Sequence, residues 1–206
     1  NVGGYVKLAG VIDPQLFQQA VELLVQKHDA LRLVLTDSVD ADGVPMQAIL
    51  PQVSVTVQQQ DFSQTADPEA EAFAWMQARF VEPFSLQQVP LFRYGLVKVT
   101  ASHYYFFFQY HHLIVDGWAI ALLNRDLADI YTALLKEQSI NLESTSYIEF
   151  IEQDRLYIES DTFVKNRHYW ATQYQNVPEP LLSIKDLAQI QHSHCESLYL
   201  PQALYQ

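Results

Sequence analysis

The chain has 206 residues, 49% of them hydrophobic and only 17% charged, and 24 acidic against 12 basic side chains leave a formal net charge of −12. That is enough apolar material for one domain with a sizeable core, and the acidic balance disfavours nucleic acid, where phosphate neutralisation by Lys and Arg supplies most of the affinity. A single cysteine, Cys195, excludes a disulfide framework; with no membrane-length apolar run and no basic-then-apolar leader, a soluble cytoplasmic protein is expected.

Residues 2–12 alternate loosely around Tyr5, Val6, Leu8 and Val11, as a first strand would. Asp13 then offers a side-chain cap, and Pro14 stands at the first helical position, where its missing N–H costs nothing. Phe17, Ala20, Leu24 and His28 recur at spacings of three and four, which places them on one face of a helix ending near residue 28. Residues 31–35 read as a strand whose odd polar member is Arg32. A buried cation needs an anion, and Asp116 is the candidate. Ala41-Asp42-Gly43 suits a hairpin turn, and residues 53–57 alternate as another strand. Asp67-Pro68 repeats the helix-start device for a helix over 69–81, with Phe73, Met76 and Phe80 inward. Strands over 91–99 and 103–110, joined by a polar turn, should pair antiparallel. After Gly117 the spacing of Ile120, Leu123, Leu127, Ile130 and Leu134 predicts a helix to about residue 136. Residues 146–176 read as one or two helices broken near Ser160-Asp161, and 197–200 as a last strand. Helices alternating with antiparallel strands argue an α+β layered domain. The six glycines spell neither GxGxxG nor a P-loop, so nucleotide chemistry is disfavoured.

The stretch 104–117, YYFFFQYHHLIVDG, stands out. Its aromatic run suits a strand buried on both faces, and His111-His112 fall where that strand ends. A strand end in a packed scaffold is where loops present reactive groups, and imidazole takes or gives a proton near neutrality. Asp116 could orient an imidazole or pair with a buried cation, and Gly117 permits close approach.

His111 to Trp118, HHLIVDGW, resembles the HHxxxDGW signature of condensation domains of nonribosomal peptide synthetases, members of the chloramphenicol acetyltransferase-like superfamily. Trp118 after the glycine resembles condensation rather than epimerization domains, and the histidines stand where heterocyclization domains carry aspartate. Residues 27–32, KHDALR, are similar to the family's RHExLR, with Lys27 for the first Arg and Asp29 for Glu. Lys cannot make the bidentate pair Arg makes. Pro83-Phe84 through Pro90-Leu91-Phe92-Arg93 resembles PFDL…PL(F/W)R, and Tyr147-Ile148-Glu149-Phe150 resembles YxDF with Glu149 for Asp.

The resemblance covers nearly the whole chain. It implies an α+β two-layer sandwich, the N-terminal lobe of the acetyltransferase-like fold over residues 1–206, with a mainly antiparallel or mixed sheet packed by helices. By the same resemblance, the first motif would lie upstream and the C-terminal lobe would lie outside these residues. The implied reaction is amide formation, in which a carrier-bound acceptor α-amine attacks a carrier-bound acyl or peptidyl thioester. Both substrates would ride on phosphopantetheine, and no cofactor or metal would be bound by this chain. The implied partners are upstream and downstream carrier domains, the C-terminal lobe and an adjacent adenylation domain; no nucleic acid and no membrane are expected.

The implied catalytic group is His112, His111, Asp116 and Gly117, supported by Arg32 and Trp118. An α-amine with pKa near 8 is already partly neutral at pH 7, and positioning alone is worth several kcal/mol. In the implied reaction His112 would orient the amine or accept its proton, and both roles stay open. His111 would be structural, Asp116 would pair with Arg32, and Gly117 would leave room for the pantetheine end. Two alternatives stand: another acyltransferase of the superfamily with an alcohol or amine acceptor and an acyl-CoA donor, and a non-catalytic lobe. His192, His194 and Cys195 carry metal-ligand chemistry but lack a second pair at metal spacing, so a surface loop is favoured there. No GxSxG is present for a serine nucleophile.

Overall fold

The computed structural model describes residues 1–87, 90–143 and 146–176; the strand expected at 197–200 and the trio His192, His194 and Cys195 lie outside the described residues. The chain divides into two compact units, 1–153 and 154–206. No described helix is long and apolar enough to cross a membrane.

The first unit is organised on a four-stranded sheet in the order β1 (Val2–Ala9), β6 (His103–Tyr110), β5 (Phe92–Thr100), β4 (Gln58–Asp61). The pairs β1/β6 and β5/β6 are antiparallel and β4/β5 is parallel. The α+β fold expected from the sequence is therefore what forms. Every residue of β6 from Tyr104 to Tyr110 is buried, because side chains alternate across a strand and both faces are covered. Tyr104, Phe106, Phe108 and Tyr110 face a core shared with α1 (Pro14–Lys27) and α3 (Gly117–Leu135). Tyr105 and Phe107 face the other way, toward Met76 and Ala72 of α2 (Pro68–Phe80). Each of these aromatic side chains contributes roughly 1.5–3 kcal/mol of burial. Of the three residues expected inward on α2, Met76 is buried while Phe73 is 39% exposed.

The helix starts are as expected: Asp13 Oδ1 accepts from the N–H groups of Gln15 and Leu16, and Asp67 Oδ1 from that of Ala70. A small second sheet pairs β2 (Leu33–Val39) with β3 (Pro45–Ile49) across the turn predicted at 41–43, where Asp40 Oδ1 accepts from the N–H groups of Asp42 and Val44. Two expectations change. Arg32 is not in a strand but closes a 3-10 turn, Asp29–Arg32. Residues 53–57 form no ladder, because the Gln18 side chain of α1 takes the backbone groups a strand would use: Nε2 donates to Val55 O at 2.8 Å and Oε1 accepts from Val57 N–H at 2.8 Å.

Helix α4 (Tyr147–Ile158) carries the chain from one unit into the other, and in the second unit Ser160 caps α5 (Asp161–Gln173), so the break falls where the sequence placed it. Neither helix has a buried residue, and Leu156, Ile158, Val164 and Trp170 are exposed.

At Gly3 the two strands β1 and β6 come too close for a side chain: φ is +153° and an added Cβ would stand 2.2 Å from Phe108 O. Gly3→Ala is expected to cost about 1–3 kcal/mol, the range for a backbone forced out of its preferred region. Gly4→Ala, where the nearest atom would be Phe108 Cζ at 3.9 Å, serves as the control. Thermal unfolding of the two variants checks this; equal melting temperatures would refute it.

Candidate active site

The site grows from the end of β6. Tyr110, its last residue, is 1% exposed, and its hydroxyl stands 3.1 Å from that of Tyr94; burial pushes both phenols up. One further backbone bond, from His111 N–H to Leu91 O at 2.9 Å, extends the ladder before the chain turns. The turn is fixed by Ile114 N–H donating to His111 O at 3.2 Å and by Leu113 N–H donating to His111 Nδ1 at 3.0 Å. Ile114 and Val115 then plunge into the core, 8% and 6% exposed. A loop held by the ladder on one side and two buried aliphatic residues on the other has little freedom.

On that loop the two histidines part. His111 is partly buried, with its ring edge-to-face with Phe84, centroids 6.4 Å apart. His112 is exposed. Asp116 begins α3: its Oδ1 accepts from Ala119 N–H at 2.7 Å and its carbonyl from Ile120 N–H at 3.0 Å. A Cβ placed on Gly117 would meet nothing within 4 Å, and Trp118 is 88% exposed. His112, Gly117 and Trp118 are each exposed, and the imidazole is not sealed into the core.

The expected Asp116–Arg32 pair does not form. Asp116 is occupied as the α3 cap, and Arg32 has local partners: Nη2 bonds Asp29 Oδ1, and Nη1 donates to the carbonyls of Leu50 and Pro51. Asp29 also accepts, through Oδ2, from Tyr147 N–H at 3.1 Å, so KHDALR ties the α1 end to the small sheet and to the start of α4. Its first two residues reach α3 instead. Lys27 Nζ and His28 Nε2 both stand 2.9 Å from Asp126 Oδ2. Asp126 and Gln109 are the buried polar side chains of the core among the described residues. Burial pushes the His28 imidazole below its ordinary value, against the bond to Asp126 that favours the charged ring. Burial of Asp126 favours its neutral acid, but the bonds from Lys27 and His28 outweigh this and hold the carboxyl below its ordinary value. Sequence reasoning missed Asp126, although its place on the Leu123, Leu127, Ile130 face marks it as a carboxylate turned inward.

A family model described as Condensation domain matches residues 1–196. The chain is 29% identical over 189 residues to the dimodular nonribosomal peptide synthase of Bacillus subtilis (strain 168), covering 91% of this chain and 8% of that protein. The crystal structure of the starter condensation domain of rhizomide synthetase RzmA superposes with a TM-score of 0.77 at 32% identity, over 86% of this chain and 43% of that one. A mutant of the same domain, solved in complex with C8-CoA and Leu-SNAC, gives 0.78 at 32% over 85% of this chain and 40% of that one. The chain therefore spans under half the length of these relatives. On a match running through residue 196 and a shared acetyltransferase-like fold, the chain belongs to the condensation-domain family of nonribosomal peptide synthetases.

Proposed function

We propose that this chain presents the His112 wall of a site that joins a carrier-bound amine to a carrier-bound acyl thioester, both tethered through phosphopantetheine. The observation that carries the reading is the exposed His112 ring on a loop fixed by the β6 ladder, Ile114 and Val115. In the reaction the amine nitrogen forms a bond to the thioester carbonyl carbon, the carbon–sulfur bond breaks, and the amine proton balances the departing thiolate. Thioester aminolysis needs little chemical activation, so most of the rate is available from holding the reactants 3–3.5 Å apart, worth roughly 7–11 kcal/mol at best. His112 orients the amine by a hydrogen bond and is placed to accept its proton. Asp116 acts through the loop by capping α3.

The exposed Trp118 and Leu113 would be covered by a second lobe, which also supplies the opposite wall. Carrier domains on both sides and an adenylation domain complete the assembly. The rhizomide relative solved with C8-CoA and Leu-SNAC supports a thioester donor and an aminoacyl acceptor, and it also favours a second reading in which the donor is an acyl-CoA.

The test uses the full-length protein that carries this chain, with donor and acceptor carriers separately loaded. Condensed product found by mass spectrometry on the acceptor carrier is the expected result. Product formed from acyl-CoA but never from the loaded donor carrier establishes the second reading, and transfer to an alcohol in place of the amine overturns both.

A further inference from the structure

The segment 81–86 has neither helix nor ladder, yet it is pinned at one point of the sheet. Arg93 and Gln109 face each other across β5 and β6. Arg93 Nη1 donates to Gln109 Oε1 at 2.9 Å and to Glu82 O at 3.1 Å, and Nη2 donates to Pro83 O at 2.9 Å. Gln109, fully buried, donates through Nε2 to Phe80 O at 2.8 Å and to Glu82 O at 3.1 Å. The carbonyls of Phe80, Glu82 and Pro83, where α2 passes into the loop, thus go to two side chains whose own positions are set by strand pairing, and Asn1 Nδ2 donates to the first two of them as well. Both terminal nitrogens of the guanidinium donate at once in a fixed planar geometry, which Lys could not reproduce.

What this clamp holds is Phe84. The Arg93 guanidinium lies 4.1 Å from the centre of its ring, inside the range of a cation–π contact, and the other side of the contact chain is the His111 ring, at 85° to Phe84. His111 Nδ1 accepts from Leu113 N–H, so the neutral ring carries its proton on Nε2, and its tilt is set by Phe84 and Leu113 together. His112 is the next residue along the same backbone.

We propose that Arg93 and Phe84 are positioning residues for the reaction: the Gln109–Arg93 clamp seats Phe84 against His111, and His111 fixes the turn from which His112 addresses the incoming amine. The inference rests on the function proposed for His112. A small misplacement is costly in a reaction whose rate comes from geometry, so Phe84→Leu, which keeps an apolar side chain but no ring, lowers kcat for amide formation by about tenfold in the full-length protein, with KM for both loaded carriers unchanged. Phe84→Tyr restores kcat. Arg93→Lys gives a loss of the same kind.

The decisive measurement is a double-mutant cycle with His112→Ala. Groups that act through one another are non-additive, so Phe84→Leu costs nothing further once His112 is gone. If Phe84→Leu is as active as wild type, or costs the same factor in both backgrounds, or is not rescued by Phe84→Tyr, the clamp is merely structural and the inference is overturned. If His112→Ala by itself keeps full turnover, it is the proposed function that fails, and the inference falls with it for a reason the single variants make visible.

Discussion

Replacing His112 with alanine in the full-length protein is expected to lower amide formation at saturating loaded carriers by about 10²- to 10³-fold, within the range a positioned acid–base side chain contributes. The size follows from placement. His112 stands on the solvent side of a loop whose neighbours Ile114 and Val115 anchor the fold without it, so its removal subtracts chemistry and leaves the scaffold. The melting temperature should stay nearly unchanged, because surface substitutions away from packing features usually fall within about 0.5 kcal/mol. His112→Gln separates the two roles. A glutamine keeps a hydrogen-bond acceptor for the amine but no titratable group. If orientation supplies most of the rate, Gln recovers activity to within about tenfold of wild type; if proton removal does, Gln is as slow as Ala and the pH dependence of kcat flattens in both. Turnover within twofold of wild type for His112→Ala would remove the basis of the proposed function.

The parts of this fold that the sequence announces are those where one physical demand acts alone. Seven consecutive buried residues in β6 leave no option but an aromatic, apolar strand covered on both faces, and Asp13-Pro14 and Asp67-Pro68 have no local competitor for the helix-cap role. Failures occur where two demands compete for one group. Asp116 reads as a partner for a cation, yet three residues on stands Ala119, whose N–H lacks a helical acceptor, and the cap is closer at hand than Arg32. Arg32 is answered three residues away, by Asp29, because the 3-10 turn folds the two together. Strand β4, Gln58–Asp61, has no apolar alternation to betray it, being a polar edge strand paired parallel to β5, while the segment that does alternate, 53–57, is claimed by Gln18. The same competition hid Asp126. An acid on the inner face of α3 looks like an interruption of the apolar stripe until Lys27 and His28 are seen to converge on it.

That convergence sets the largest effect on stability. Asp126→Ala is expected to cost about 3 kcal/mol, since removing one partner of a buried ionic cluster leaves the others desolvated and uncompensated; for a unit of this size it corresponds to roughly 6–12 °C in melting temperature. The acid dependence separates charge from mere packing. His28 titrates in the folded protein below its ordinary 6.5, so between that value and its native one the unfolded chain binds more protons, and stability falls as the pH is lowered. Asp126 titrates below its ordinary 3.8, so its contribution is complete above that value and is lost only as the pH falls through its native one. Asp126→Ala removes the carboxylate that favours the charged His28 ring. Native His28 is then still harder to protonate, and the variant loses stability more steeply below pH 6.5 than wild type does. The gap between the two proteins therefore widens on going from about pH 7 toward 4 and narrows again once Asp126 is protonated in wild type. Melting temperatures measured across that range check it: a gap that stays constant with pH would mean that Asp126 holds α3 to α1 by shape alone, and that the charges of Lys27 and His28 contribute nothing to fixing the helix on which the His112 loop is seated.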